Sequence, residues 1–231
     1  MKVRGQRECK TCGARWSYYE TGEITCPECG SIRSVGLDEP TPHTAGTREL
    51  DLTSVRADVD DVPVQTLADR AVEESRRYLR EVGFVHAGEL EALDDTVLAA
   101  SELRRVGGTL GRVMQVSDEE TLYFFELLRG ADQNERPPPD AVPETLYPER
   151  GLAVASAVDS YTTDIRRLFE ERERETDRVL SSVRSHRKRI EALDGEIQPV
   201  EAERLVGAVR DLSEYLRTGD ETALARAGNR L

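Results

Sequence analysis

From about residue 50 onward, apolar positions recur every three to four residues, the spacing that gathers them on one face of an α-helix. Residues 64–82 carry Val64, Leu67, Ala71, Tyr78 and Val82 in this register, and residues 88–106 repeat it with Leu90, Leu93, Val97 and Ala100. The Gly107-Gly108 pair is expected to interrupt or end the second helix. Ser117 opens the run Ser-Asp-Glu-Glu, a capping box in which the serine oxygen accepts from the Glu120 amide and the Glu120 carboxylate accepts from the Ser117 amide. The helix behind it sets Leu122, Phe125 and Leu128 on its apolar face and stops at Gly130. The longest pattern runs from about 150 to 195: Val154, Val158, Tyr161, Ile165 and Leu168, resumed by Val179, Val183, Ile190 and Leu193. The charged stretch EERERE at 170–175 divides it and predicts a bend or an exposed segment. After Gly195 and Pro199 a further helix carries Leu205, Val209, Leu212 and Leu216, which predicts an antiparallel hairpin burying two seams together. Thr218-Gly219-Asp220 then caps a short last helix.

Two stretches break the pattern. Residues 37–49 (LDEPTPHTAGTRE) read as a linker, and residues 131–149, with Pro137-Pro138-Pro139, Pro143 and Pro148, exclude a helix or a central strand and read as an extended connector. The expected organisation is a cysteine module at 1–36, a linker at 37–49, a helical region at 50–130, a proline-rich connector at 131–149 and a long helical hairpin at 150–231.

The module holds all four cysteines of the chain, as Cys9-Lys-Thr-Cys12-Gly13 and Cys26-Pro-Glu-Cys29-Gly30. Two residues between cysteines let both sulfurs face one ion from a tight turn, and the following glycine permits a left-handed backbone. The 13 residues between the knuckles suit a β-hairpin, with strands at 14–19 and 23–25 turning near Thr21-Gly22 and a third strand at 32–35. About 35 residues cannot bury enough surface to fold alone. Ligation of one metal ion, worth on the order of 10–16 kcal/mol, makes up the deficit. Four thiolates close the coordination shell, which makes the expected ion structural: Zn2+, with iron second. The expected fold is a small β zinc ribbon plus a mainly α-helical domain containing the long antiparallel helical hairpin.

Charge narrows the partners. The chain is formally −13, and residues 1–36 carry six basic and four acidic side chains, so the remainder stands at −15. Four thiolates around a divalent ion bring the module close to neutral. An acidic surface repels phosphate backbones, so nucleic acid is admissible only through the module. Only three of the 32 basic residues are lysine, namely Lys2, Lys10 and Lys188. This acidic, arginine-rich balance resembles proteins adapted to molar salt, where charge is screened within about 3 Å. No apolar run of about 18 residues predicts a membrane span, and MKVRGQRECK lacks the apolar stretch of a signal peptide, so a cytoplasmic location is expected.

The two knuckles together, CKTCG and CPECG, resemble a zinc ribbon of the archaeal and eukaryotic transcription-factor-B type over about residues 5–36. The whole chain is similar to haloarchaeal proteins of unassigned function that carry such a ribbon ahead of a helical region. In transcription factors the ribbon docks on polymerase, but the cyclin-like repeats of those factors are not evident downstream. The same knuckles also resemble those that hold iron in rubredoxin-like modules, which accompany the helical bundle of rubrerythrins. That bundle needs Glu-x-x-His motifs, whereas Pro40, Gly83 and Val183 stand three residues before His43, His86 and His186.

Within the module Arg15, Trp16, Tyr18, Tyr19 and Arg33 are the candidate partner-contact residues. Trp16 and Tyr18 would share one strand face and cover the small core. The basic cluster Arg184, His186, Arg187, Lys188 and Arg189 follows an acidic stretch and reads as an ion-paired helix face. Gly107-Gly108-Thr109-Leu110-Gly111 lacks the lysine and strand context of a phosphate loop. No catalytic set emerges. The expected function is that of a non-enzymatic adaptor or regulatory protein acting through protein–protein contacts. The alternatives are a nucleic-acid-associated, transcription-related factor using the module, and a rubredoxin-like iron electron-transfer protein.

Overall fold

A computed structural model describes residues 1–231. The N-terminal part consists of short strands, β1 (Lys2–Val3), β2 (Gln6–Cys9) and β3 (Arg15–Ser17), one helical turn, α1 (Tyr18–Thr21), and strands β4 (Ser34–Gly36) and β5 (Thr41–Pro42). β2 is the central strand of an antiparallel sheet of order β3-β2-β4, and β1 pairs antiparallel with β5. This corrects the expected hairpin between the knuckles. Arg15–Ser17 pairs with the strand entering the first knuckle, because the knuckle itself reverses the chain: the Cys9 amide donates to the Ala14 carbonyl at 2.8 Å. Residues 23–25 form no strand, and Tyr18 already belongs to α1.

The rest of the chain is mainly helical: α2 (Thr53–Ala57), α3 (Val64–Glu81), a small hairpin of β6 (Val85–His86) and β7 (Glu89–Leu90), then α4 (Asp95–Leu110), α5 (Asp118–Gly130), α6 (Tyr147–Leu168), α7 (Arg174–Ala192), α8 (Pro199–Thr218) and α9 (Glu221–Arg230). One core of 42 buried apolar residues runs through both the 50–130 and the 150–231 stretches. α7 and α8 form the hairpin, and α6 packs against both. The charged stretch at 170–175 spans the corner between α6 and α7. There Arg172 donates to the Phe169 carbonyl at the end of α6 and to Asp177 Oδ1 in the first turn of α7 at 2.9 Å. A cation on the last carbonyls of one helix and a carboxylate in the first turn of the next both complement the helix dipoles.

Four details depart from the sequence pattern. The helix expected from residue 88 begins at Asp95, capped by Asp94, because residues 85–90 are spent on the β6–β7 hairpin. Gly107 and Gly108 lie inside α4 and do not end it. A Cβ on Gly107 would come within 2.7 Å of Val72 Cγ2 and 2.9 Å of the Ala68 carbonyl oxygen, so this glycine lets α3 cross α4 at close range. The capping box of α5 forms as expected, with 3.2 Å and 2.9 Å hydrogen bonds between Ser117 and Glu120, but the buried face is Tyr123, Phe124, Leu127 and Leu128 while Leu122 is exposed. The 131–149 stretch is no free connector. It makes three 3₁₀ turns and buries Ala131, Val142 and Leu146, and Asn134 Oδ1 accepts from the Asp95 and Thr96 amides at the start of α4.

The expected linker at 37–49 is also docked. Beyond β5, the Thr44 and Ala45 amides donate to the Val85 carbonyl, and the Thr44 hydroxyl donates to buried Asp164 on α6 at 2.6 Å. The same Asp164 oxygen accepts from the Phe84 amide at 3.0 Å, so one carboxylate ties the strap, the β6–β7 hairpin and α6 together.

A charge network crosses the helical body. Arg150 on α6, 1 % exposed, donates to Glu102 on α4 at 2.8 Å, to Glu203 on α8 at 3.0 Å and to the Pro137 carbonyl at 3.1 Å. Tyr123 on α5 also donates to Glu102, and Arg136 donates to both Glu203 oxygens at 2.6 Å. Two guanidinium groups thus face two carboxylates, and α4, α5, α6 and α8 each contribute a member. Burial lowers the affinity of Arg150 for its proton, but Glu102 and its neighbours outweigh that and raise its pKa. Removing one member of such a network leaves an uncompensated buried charge. Arg150→Met is therefore expected to lower unfolding free energy by about 3–5 kcal/mol in a denaturant titration. The exposed-pair control Arg178→Gln should stay within about 1 kcal/mol of the parent. An Arg150→Met protein as stable as the parent would show that the network contributes no net stability.

Candidate metal centre

Each knuckle is closed by the same two backbone hydrogen bonds. The first cysteine's amide donates to the carbonyl five residues on, Cys9 to Ala14 at 2.8 Å and Cys26 to Ser31 at 2.9 Å. The glycine's amide donates back to that cysteine's carbonyl, Gly13 to Cys9 at 3.0 Å and Gly30 to Cys26 at 2.9 Å. Gly13 and Gly30 have φ of +78° and +68°, where a side chain costs about 1 kcal/mol or more. Space is not the constraint, since an added Cβ would meet nothing within 4 Å at either position.

The knuckles face each other so that all four cysteine sulfurs lie within 4.8 Å of one another. Cys9 and Cys29 sulfurs are 3.6 Å apart, as are those of Cys12 and Cys26. A disulfide would require about 2.05 Å. Four ligands about 2.3 Å from one tetrahedral centre stand roughly 3.8 Å apart, so the set has the dimensions of a four-thiolate site able to hold a metal ion. The donor chemistry fits as well. The Thr11 amide donates to Cys9 Sγ at 3.3 Å, and amides of Cys12, Ala14 and Ser31 face the sulfurs of Cys9, Cys12 and Cys29. Backbone donation, from Cys12 first and then Thr11, holds the Cys9 thiol down at about 6. The Ser31 amide pulls Cys29 the same way but is outweighed by the adjoining sulfurs, Cys12 foremost, and by burial, which push it up to about 12. Four thiolates at this spacing repel one another, and a divalent cation removes that repulsion.

Cys9 and Cys26 are buried with Trp16, while Cys12 and Cys29 lie at the surface. Trp16 is 8 % exposed and donates its indole N–H to the Glu23 carbonyl at 3.0 Å, which anchors the segment between the knuckles. Ser34 links the remaining pieces: its hydroxyl accepts from Arg7 and donates to the Ile24 carbonyl at 2.6 Å. Neither Arg7 nor Ser34 carries a spacing signal in the sequence.

The other candidate contact residues do not form one face. Trp16 is buried in the module, and Arg15 is paired with Glu8 at 2.9 Å. Tyr18 and Tyr19 turn towards the helical body, where their rings meet that of His43, with centroids 6.0 Å and 4.8 Å away. His86 completes this joint, 5.3 Å from His43, and burial followed by the His86 charge lowers the pKa of His43. Tyr18 therefore does not share a strand face with Trp16: the chain turns into α1 at Tyr18, whose ring covers the joint while Trp16 covers the sulfurs. Of the five candidates only Arg33 stays exposed and without an ion pair. In the basic cluster at 184–189 Arg187 pairs with Asp159 and Glu191, and Arg189 with Glu201.

No helix is long and apolar enough to cross a membrane. With a helical body, small antiparallel sheets and an N-terminal cysteine cluster, the chain falls among proteins with a four-cysteine module able to hold a metal ion. All of it, residues 1–231, matches the family of unknown function DUF7117, and the protein belongs to that family. No curated protein and no solved structure matches the chain.

The module's cluster of Cys9, Trp16 and Cys26 is separate from the main core. Elemental analysis should therefore find a single bound ion per chain, lost in Cys12→Ser. Far-UV circular dichroism of that variant should retain the parent's helicity, while amide exchange over residues 5–36 rises by at least about tenfold. Retained metal in the variant would rule out the four-sulfur centre.

Proposed function

We propose that the chain is a non-enzymatic zinc-ribbon adaptor or regulator that acts through protein–protein contacts. The observation that carries this reading is the complete set of four converging sulfurs. Four thiolates satisfy a tetrahedral ion and leave no position for substrate, which suits a structural Zn2+ whose role is to hold a surface in shape. The ribbon resemblance of CKTCG and CPECG supports the same reading, and the arginine-over-lysine bias supports a haloarchaeal setting.

The surface that the ion would hold is apolar in places. Ile24 is 52 % exposed and Ile32 76 % exposed, on either side of the second knuckle. Apolar side chains held out from a near-neutral module suit a protein partner better than a phosphate backbone. A nucleic-acid role would have to work without Trp16 and Arg15, which are engaged within the module.

Zinc and iron are told apart by colour, since a ferric four-thiolate site is red and the zinc form colourless; the purified protein should be colourless. Affinity capture from a lysate of the source organism tests the adaptor role. A protein retained by the wild type should be lost with Cys9→Ser and also with Ile32→Asp, which leaves the sulfurs in place. Retention of the same proteins by both variants would overturn the reading.

A further inference from the structure

Between α3, α4 and α6 lies an open cavity of about 400 Å³ whose polar lining is three arginines, Arg76, Arg80 and Arg104, and three serines, Ser101, Ser156 and Ser160. No carboxylate lines it. That is unusual in a chain with 45 acidic and 32 basic side chains. On α3 the neighbouring Arg77 pairs with Glu73 at 3.3 Å and Glu74 at 2.9 Å, and Glu81 pairs with Arg48, so Arg76 and Arg80 have no ion-pair partner on their own helix. Arg104 Nε is buried and makes no hydrogen bond. A buried donor left unmade is costly, and a guanidinium in this state is poised to accept an anion. Burial, and secondarily the like charge of Arg76, hold Arg104 below the ordinary arginine range, so two cations converge here without a carboxylate between them.

We propose that this cavity binds a small organic phosphate, its phosphoryl group held by Arg76, Arg80 and Arg104 with the serine hydroxyls and its apolar part resting on the wall of Leu79 and Val97. Planar guanidinium forks match phosphoryl oxygens in pairs, and hydroxyl donors complete the shell. The volume falls within the range of small-molecule sites, about 300–1,000 Å³, and exceeds what a bare phosphate fills. The apolar wall gives the excess a purpose. The three arginines come from two helices, with Arg104 standing 24 residues beyond Arg80, so no local basic run announces them.

Arg76 and Arg80 are exposed, so replacing them leaves the core intact. The test is isothermal titration calorimetry of the full-length protein with adenosine 5′-monophosphate, inorganic phosphate and citrate. The nucleotide should bind more tightly than inorganic phosphate. Its binding should weaken by at least about tenfold in the Arg76→Gln/Arg80→Gln double variant and stay unchanged in Arg178→Gln, which lies outside the cavity. The proposal is overturned if the double variant binds the nucleotide as the wild type does, if neither phosphate compound binds, or if citrate binds as tightly as the nucleotide. Inorganic phosphate binding as tightly as the nucleotide would overturn the role of the apolar wall.

Discussion

A folded unit that buries almost nothing has to be cross-linked, and that constraint governs the first 36 residues of this chain. Within them the buried apolar cluster is Cys9, Trp16 and Cys26, two of which are sulfur donors. Burial of one tryptophan supplies only a few kcal/mol. The backbone hydrogen bonds of the knuckles orient the sulfurs, but orientation alone leaves four groups that repel one another as they ionise, which is why the Cys29 thiol is pushed up. A shared cation turns that repulsion into the strongest attraction in the module, which is why the proposed zinc carries both the shape and the functional reading.

The module is joined to the body by several small contacts rather than by a flexible tether. β1 pairs with β5, Tyr19 stacks beside His43 and His86, and Thr44 reaches Asp164. Each is modest, yet they follow one another along residues 37–49 and hold the module against the body at several points. The proposed adaptor role would benefit from such anchoring because less freedom is lost when a partner binds. The body itself is fixed by a large apolar core and by the largely buried Glu102–Arg150–Glu203–Arg136 network, whose charges balance one another. The cavity between α3, α4 and α6 is the opposite case: charge that the fold leaves unbalanced.

Much of this was legible in the sequence where the signal is local. Helical faces follow from three-to-four spacing, and Leu67, Ala71, Tyr78, Val154, Val158, Ile165, Leu205 and Val209 are buried as that spacing requires. The capping box at Ser117 is set by residues three apart, and the knuckles by cysteines three apart followed by glycine. Where a long-range partner decides, the pattern misled. Leu122 looks like a core residue until the packing of α5 selects the adjacent face. Gly107 looks like a helix end until α3 crosses it. The proline-rich stretch and the 37–49 strap look free because neither has periodicity, yet side chains and backbone groups distant in sequence hold both.

By itself, then, the sequence determined most of the helical faces, the cap at Ser117 and a single four-cysteine cluster, because each depends on residues within a turn or two or on a repeated local spacing. The tertiary structure alone decided which strand pairs with which, how the aromatic residues of the module are shared between its core and the joint, and where charge is balanced or left over. Those outcomes depend on groups that meet across tens of residues, and their energies exist only once the chain has closed around them.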